Sequence, residues 1–130
     1  MNLFFQKYGD ASKALKTFTE ILQEKYSATV QDAAIQRFEY TTEALWKCLQ
    51  EYLKEFEGII SASPKSCMRE AKRIGLLNDK EAECALEMID ARNMTSHTYH
   101  KEVADKLFKQ LPIYEKLMVI LIEKLKSEQQ

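Results

Sequence analysis

Apolar residues recur every three or four positions along almost the whole chain, the spacing that collects side chains on one face of an α-helix. The longest stripe is Val30, Ala34, Phe38, Thr41, Leu45, Cys48, Tyr52, Phe56 and Ile59, and it predicts a helix from about Val30 to Ile60. Trp46, Leu49 and Leu53 widen that stripe, as expected of a helix with neighbours on more than one side. An earlier helix is expected from about Tyr8 to Lys25, with Ala11, Leu15, Phe18 and Leu22 inward.

The segment "SASPKSCMREAKRIG" carries complete helix punctuation. Ser63 suits the cap, Pro64 the first helical position, and Gly75 the left-handed position past the end. Cys67, Ala71 and Ile74 then face inward. Asn78 or Asp79 caps a fourth helix whose inward positions are Ala82, Leu86, Ile89 and Asn93. The last helix is expected from about Glu102 to Lys124, on a stripe through Val103, Leu107, Leu111, Tyr114, Met118, Leu121 and Leu125. Pro112 lies inside it and should bend or split it near Gln110. The resulting fold class is all-α: an antiparallel up-and-down bundle of four to five helices, in one domain over residues 1–130 with a frayed tail at 125–130.

With 3 glycines and 2 prolines, the chain has little turn chemistry for a β-rich alternative. No apolar run approaches the roughly 20 residues of a membrane span, and the first residues lack the basic-then-apolar order of a secretory signal. Cys48, Cys67 and Cys84 are odd in number and form no C-x-x-C pair, which points to reduced thiols and a cytoplasmic protein. A net charge of −1 gives no global attraction to nucleic acid or acidic lipid, so any anion-binding surface must be local.

The rare chemistry is concentrated in "DARNMTSHTYH", residues 90–100, which holds both histidines of the chain. At 100° per residue, Arg92 and Tyr99 share a helix face, as do Asn93 and His97. Arg92 and His97, five apart, would point about 140° away from each other on one straight helix. To act on one ligand they need a helix break between them, or two chains. "TSHT" is poor helix interior, so the fourth helix is expected to end near Met94–Ser96 and the next to start near Thr98–Lys101.

A helix end of this kind favours a protonated imidazole at His97, and Asn93 one turn back can orient the ring. Arg92 offers a planar donor fork for phosphate, and Tyr99 a hydroxyl that can accept a transferred group. With Ser96, these residues form a candidate nucleotide- or phosphodiester-binding set that needs no metal or cofactor. Arg92 and His97 would also suit RNA cleavage through the 2′-hydroxyl. Blander roles stay open: Asn93 as a satisfied polar group within the bundle, Arg92 paired with Asp90 or Glu87, and His97 as a helix cap. The spacing His97-x-x-His100 resembles a metal pair but lacks further ligands, so no metal site is expected. Lys65, Arg69, Lys72 and Arg73 crowd one short helix with only Glu70 to offset them, a further candidate anion or RNA surface.

Arg92, four residues, His97, one residue and Tyr99 match the R-x4-6-H-x-Y signature of the HEPN superfamily, the higher eukaryote and prokaryote nucleotide-binding domains. "RNMTSHTYHKEVADKLF" resembles the matching segment of bacterial nucleotidyltransferase substrate-binding proteins. "FEYTTEALWKCLQEYL" and "SPKSCMREAKRIGLL" resemble the second and third helices of the same branch, so the likeness runs from about Phe38 into the last helix. One departure is His100, where such proteins usually carry a small polar or acidic helix cap. The resemblance implies a helical homodimer, alone or within a heterotetramer, paired with a separate minimal nucleotidyltransferase chain that holds the catalytic carboxylates. The helical chain would bind nucleotide or substrate for that partner. The alternative it implies is a metal-independent ribonuclease toxin, with Arg92 and His97 of two chains forming one site, silenced by AMP addition to Tyr99.

Overall fold

The computed structural model describes residues 2–128. Five α-helices follow one another without a strand among the described residues: α1 (Leu3–Ile21), α2 (Ala28–Glu57), α3 (Pro64–Arg73), α4 (Asp79–Asn93) and α5 (Lys101–Glu128). Short connections join them into an antiparallel bundle, and α2 packs on each of the other four helices.

Local chemistry sets most of the boundaries. Asn2 caps α1 by accepting a hydrogen bond from the Phe4 amide at 2.8 Å, so the helix starts well before the expected Tyr8. The early start is anchored by Phe4, which is fully buried with its ring 5.8 Å from Tyr52 and 5.3 Å from Phe56. Ser27 caps α2, and Gly58 (φ 66°) ends it in the left-handed conformation, short of the expected Ile60. Ser63, Pro64 and Gly75 (φ 81°) serve α3 as expected. At α4, Asn78 and Glu81 form a reciprocal capping box, each side chain bonding the other's backbone amide.

α5 runs unbroken through Pro112. That proline is exposed, so water can satisfy the carbonyl whose helical bond it removes. The helix also continues through Glu128 with Leu125 fully buried, where a frayed tail was expected from 125. Residues 129 and 130 lie outside the described residues.

The core is layered across helices. Phe18 of α1 meets Phe38 of α2 at 6.0 Å between ring centres, and Phe38 stacks on Tyr114 of α5 at 5.6 Å. Each such side chain contributes about 1.5–3 kcal/mol by leaving water. Polar ties fix the register around this ladder. Gln31 donates to Asp105 at 2.9 Å, Thr19 to Glu115 at 2.8 Å, and Lys124 to both Leu76 O and Glu81 at 2.8 Å.

Two expected inward positions differ. Phe56 leans over Phe4 and Tyr52 but keeps 43% of its surface exposed. Asn93 is exposed at the last residue of α4, whose buried positions are Ala82, Ala85, Met88, Ile89 and Ala91. Cys48 and Cys67 are buried thiols and Cys84 is half-buried. Burial pushes the Cys48 thiol up to about 12.

Candidate functional site at the corner between α4 and α5

The chain turns from α4 into α5 through a 3-10 turn, Met94–His97. Three hydroxyls build it. Thr95 donates to Arg92 O at 2.7 Å, Ser96 to Asn93 O at 3.2 Å, and Thr98 to Thr95 O at 3.1 Å. Each bond reaches three residues back, so the helix tightens and stops where "TSHT" predicts. Thr95 is also 2.8 Å from Glu39 of α2, and its single proton serves both acceptors. The amide of His100 bonds His97 O at 3.1 Å, and Val103 and Ala104 then bond His100 O, which launches α5 at Lys101.

Arg92 turns toward α2. Its Nε lies 2.8 Å from Glu43 Oε1, with about a third of each side chain exposed. The contact is close but not aligned as a hydrogen bond, so it acts by charge, and the buried Nε keeps no geometric partner. Neither Asp90 nor Glu87 pairs with Arg92: Asp90 is held by Lys65 of α3 at 2.6 Å, and Glu87 faces a cleft between α4 and α5. The terminal guanidinium nitrogens make no hydrogen bond among the described residues and remain available to an anion.

On the outer side of the corner three rings gather. Tyr99 is 77% exposed, with its ring 4.4 Å from His100 and 6.3 Å from His97. Asn93 and Ser96 are exposed beside them, but no hydrogen bond joins Asn93 to His97 among the described residues. The structure therefore gathers His97, Tyr99 and His100, and turns Arg92 away toward Glu43.

The basic residues of α3 are largely offset from α4. Lys65 meets Asp90, Lys72 lies 3.6 Å from Asp79, and Arg73 is bound by Glu70 at 2.6 Å. The Arg73 guanidinium bonding Glu70 holds that carboxyl below its ordinary value. Only Arg69 of the four has no ion pair among the described residues. Sequence order hid this compensation, because Asp79 and Asp90 lie on the next helix. Glu39 and Glu43 were missed as well. Their signal is a pair of carboxylates one turn apart on a helix that is otherwise apolar toward its neighbours.

Two hollows flank the corner. The cleft between α4 and α5 measures about 650 Å³, and a smaller one of about 210 Å³ between α2 and the turn is bordered by Asp32, Glu39, Thr95 and Thr98. Neither includes His97 or Tyr99, which stand on an open surface. Among the described residues no cluster of His, Cys, Asp or Glu could hold a metal ion, and no helix is long and apolar enough to cross a membrane.

A helical bundle with this motif at one corner matches a known class. The chain belongs to the family described as nucleotidyltransferase substrate binding protein like, whose model matches residues 4–127. It is 32% identical over 106 residues to a Haemophilus influenzae protein named "Probable ribonuclease HepT", covering 78% of this chain and 71% of that one. Among solved structures it resembles a Thermus thermophilus protein designated ttk003001694, with 50% identity and a TM-score of 0.85 over 88% of this chain and 98% of that one. It also resembles HI0074 of Haemophilus influenzae, described as revealing the fold of a substrate binding domain of a nucleotidyltransferase. That match has 25% identity and a TM-score of 0.67 over 96% and 98% of the two chains.

Proposed function

We propose that this chain is the nucleotide- or substrate-binding subunit of a two-component nucleotidyltransferase, and that it presents its ligand at the corner formed by Arg92, Asn93, Ser96, His97 and Tyr99. The observation that carries this reading is the openness of the corner: His97 and Tyr99 stand on exposed surface outside both hollows. A surface of this shape binds weakly alone and needs a second chain to close over the ligand. A separate minimal nucleotidyltransferase would supply that chain and the catalytic carboxylates. For Arg92 to hold phosphate beside the rings of Tyr99, His97 and His100, its guanidinium must swing from Glu43 toward them. Exposed apolar residues on α5, Ile113 above all at 60%, support burial against a second copy, as a homodimer or within a heterotetramer. The three free thiols fit a cytoplasmic location.

The test is titration calorimetry with ATP, on the chain alone and mixed with a minimal nucleotidyltransferase. Binding in the mixture, weakened by Arg92→Ala and Tyr99→Ala, is the expected result. Equal binding by both variants and the parent contradicts it.

A second reading is favoured by the arginine–histidine spacing and by the ribonuclease name of the Haemophilus influenzae relative. In it, His97 takes the proton of an RNA 2′-hydroxyl, whose oxygen attacks the adjacent phosphorus and expels the 5′-oxygen. Arg92 stabilises the extra charge on phosphorus. Arg92 must then leave Glu43, or come from a partner chain. A nucleotidyltransferase would silence the site by moving AMP from ATP to the Tyr99 hydroxyl, releasing pyrophosphate. RNA cleavage in EDTA that is lost in His97→Ala supports this reading, and no cleavage by the parent rejects it.

A further inference from the structure

On the opposite side of α4 from Glu43 lies the cleft of about 650 Å³, within the size range of small-molecule sites. Its floor is apolar: Ala91 from the end of α4, Met94 from the 3-10 turn, and Val103 and Leu107 from the start of α5. Tyr114 closes the bottom. Its ring is stacked on Phe38 and the residue is only 5% exposed, yet its hydroxyl makes no hydrogen bond among the described residues. The ring is buried while the hydroxyl reaches the wall of the cleft, so the phenol presents an apolar body and a polar tip. Here the hydroxyl faces the cleft and is open to a partner from outside the chain.

The rim of the cleft is acidic. Glu87, Asp90 and Glu102 border it, against a single cation, Lys106. Asp90 is already engaged by Lys65. Glu87 and Glu102 have no ion pair among the described residues, with Lys106 or any other group. Burial, then the nearby charges of Glu87, Cys84 and Asp90, push the Tyr114 phenol above its ordinary value, so it stays neutral and able to donate or accept. The carboxylates of Glu87 and Glu102 on the same cleft attract a cation.

We propose that the α4–α5 cleft is a binding site for a small organic ammonium compound, whose apolar body lies on Ala91, Val103 and Leu107, whose charge meets Glu87 and Glu102, and whose polar end bonds the Tyr114 hydroxyl. The site is separate from the corner of Arg92 and Tyr99, and does not depend on the function assigned to that corner. A phosphate-bearing ligand is disfavoured here by the same carboxylates.

The experiment uses the full chain and tyramine as the probe, followed by amide chemical shifts in NMR. Its neutral counterpart, 4-ethylphenol, carries the same ring without the amine. Tyramine is expected to shift the signals of Ala91, Val103 and Leu107, and to bind about tenfold more tightly than 4-ethylphenol, as an added charge-assisted hydrogen bond implies. Glu87→Gln should remove most of that difference. Tyr114→Phe keeps the ring stack on Phe38 and should weaken both ligands, which separates the hydroxyl's role from folding. Equal affinity for the two ligands, or shifts confined to residues 97–100, overturns the proposal. So does a cleft that ignores tyramine while its signals change on dilution, since that marks an interface between copies.

Discussion

Arg92 at the end of α4 and Glu43 in the middle of α2 meet at 2.8 Å, and this pair holds the base of the corner against the bundle. It joins the only arginine of the motif to a helix far earlier in the chain, and it points the guanidinium inward on one edge and outward on the other. Replacing Glu43 by Gln removes the charge and keeps the shape. Because both groups are about a third exposed and the contact acts by charge alone, the cost in urea unfolding should be small, about 0.5–1 kcal/mol. Freed from Glu43, Arg92 should bind ATP or RNA more tightly, so this variant gains ligand affinity as it loses stability.

The 3-10 turn depends on Thr95. Thr95→Val removes the hydroxyl shared between Arg92 O and Glu39 and leaves Glu39 without its partner. A loss of about 1–2 kcal/mol is expected, read as a lower thermal midpoint. Hydrogen exchange at residues 95–100 should speed up more than exchange in α2.

These two features show what the sequence could and could not disclose. The turn is local chemistry: Ser96 and Thr98 bond carbonyls three residues back, and that is written in four consecutive letters. The caps at Ser63, Asn78 and Gly75 are equally local. Arg92–Glu43, Lys65–Asp90 and Lys72–Asp79 depend on which helices become neighbours, and periodicity does not carry that information. Asn93 lies only about 20° round the helix from buried Ala82, yet it is exposed as the last residue of α4, and periodicity does not say where the covering neighbours end. The Tyr114 position was legible as core, but the opening of its hydroxyl to a cleft was not, since the cleft exists only once α4 and α5 are docked.

Stability should depend on acid through Glu81. Its hydrogen bond from Lys124, then that from the Asn78 amide, lowers its pKa from the ordinary 4.5. A carboxyl with a lowered folded pKa stabilises fully above its unfolded value, and that contribution fades as pH falls through the folded one. The thermal midpoint of the parent should therefore exceed that of Glu81→Gln at neutral pH. The gap should shrink below about pH 4.5, the ordinary value. A gap independent of pH would contradict the assignment.

The thiols should react in order of burial. Cys84, half-buried, should be alkylated first in the native protein at about pH 8, while Cys48 and Cys67 wait for unfolding. With its thiol pushed up to about 12, Cys48 carries almost no thiolate. Peptide mass spectrometry after a timed iodoacetamide pulse reads the order directly.

An open corner at Tyr99 that serves a nucleotidyltransferase partner requires the two chains to associate through it. The most direct measurement is size-exclusion chromatography with light scattering on this chain mixed with a minimal nucleotidyltransferase from the same genome. The expected result is a single complex of this chain with the nucleotidyltransferase, which Tyr99→Ala with His97→Ala weakens. Separate elution of the two chains at micromolar concentration, or a complex indifferent to both substitutions, would contradict it.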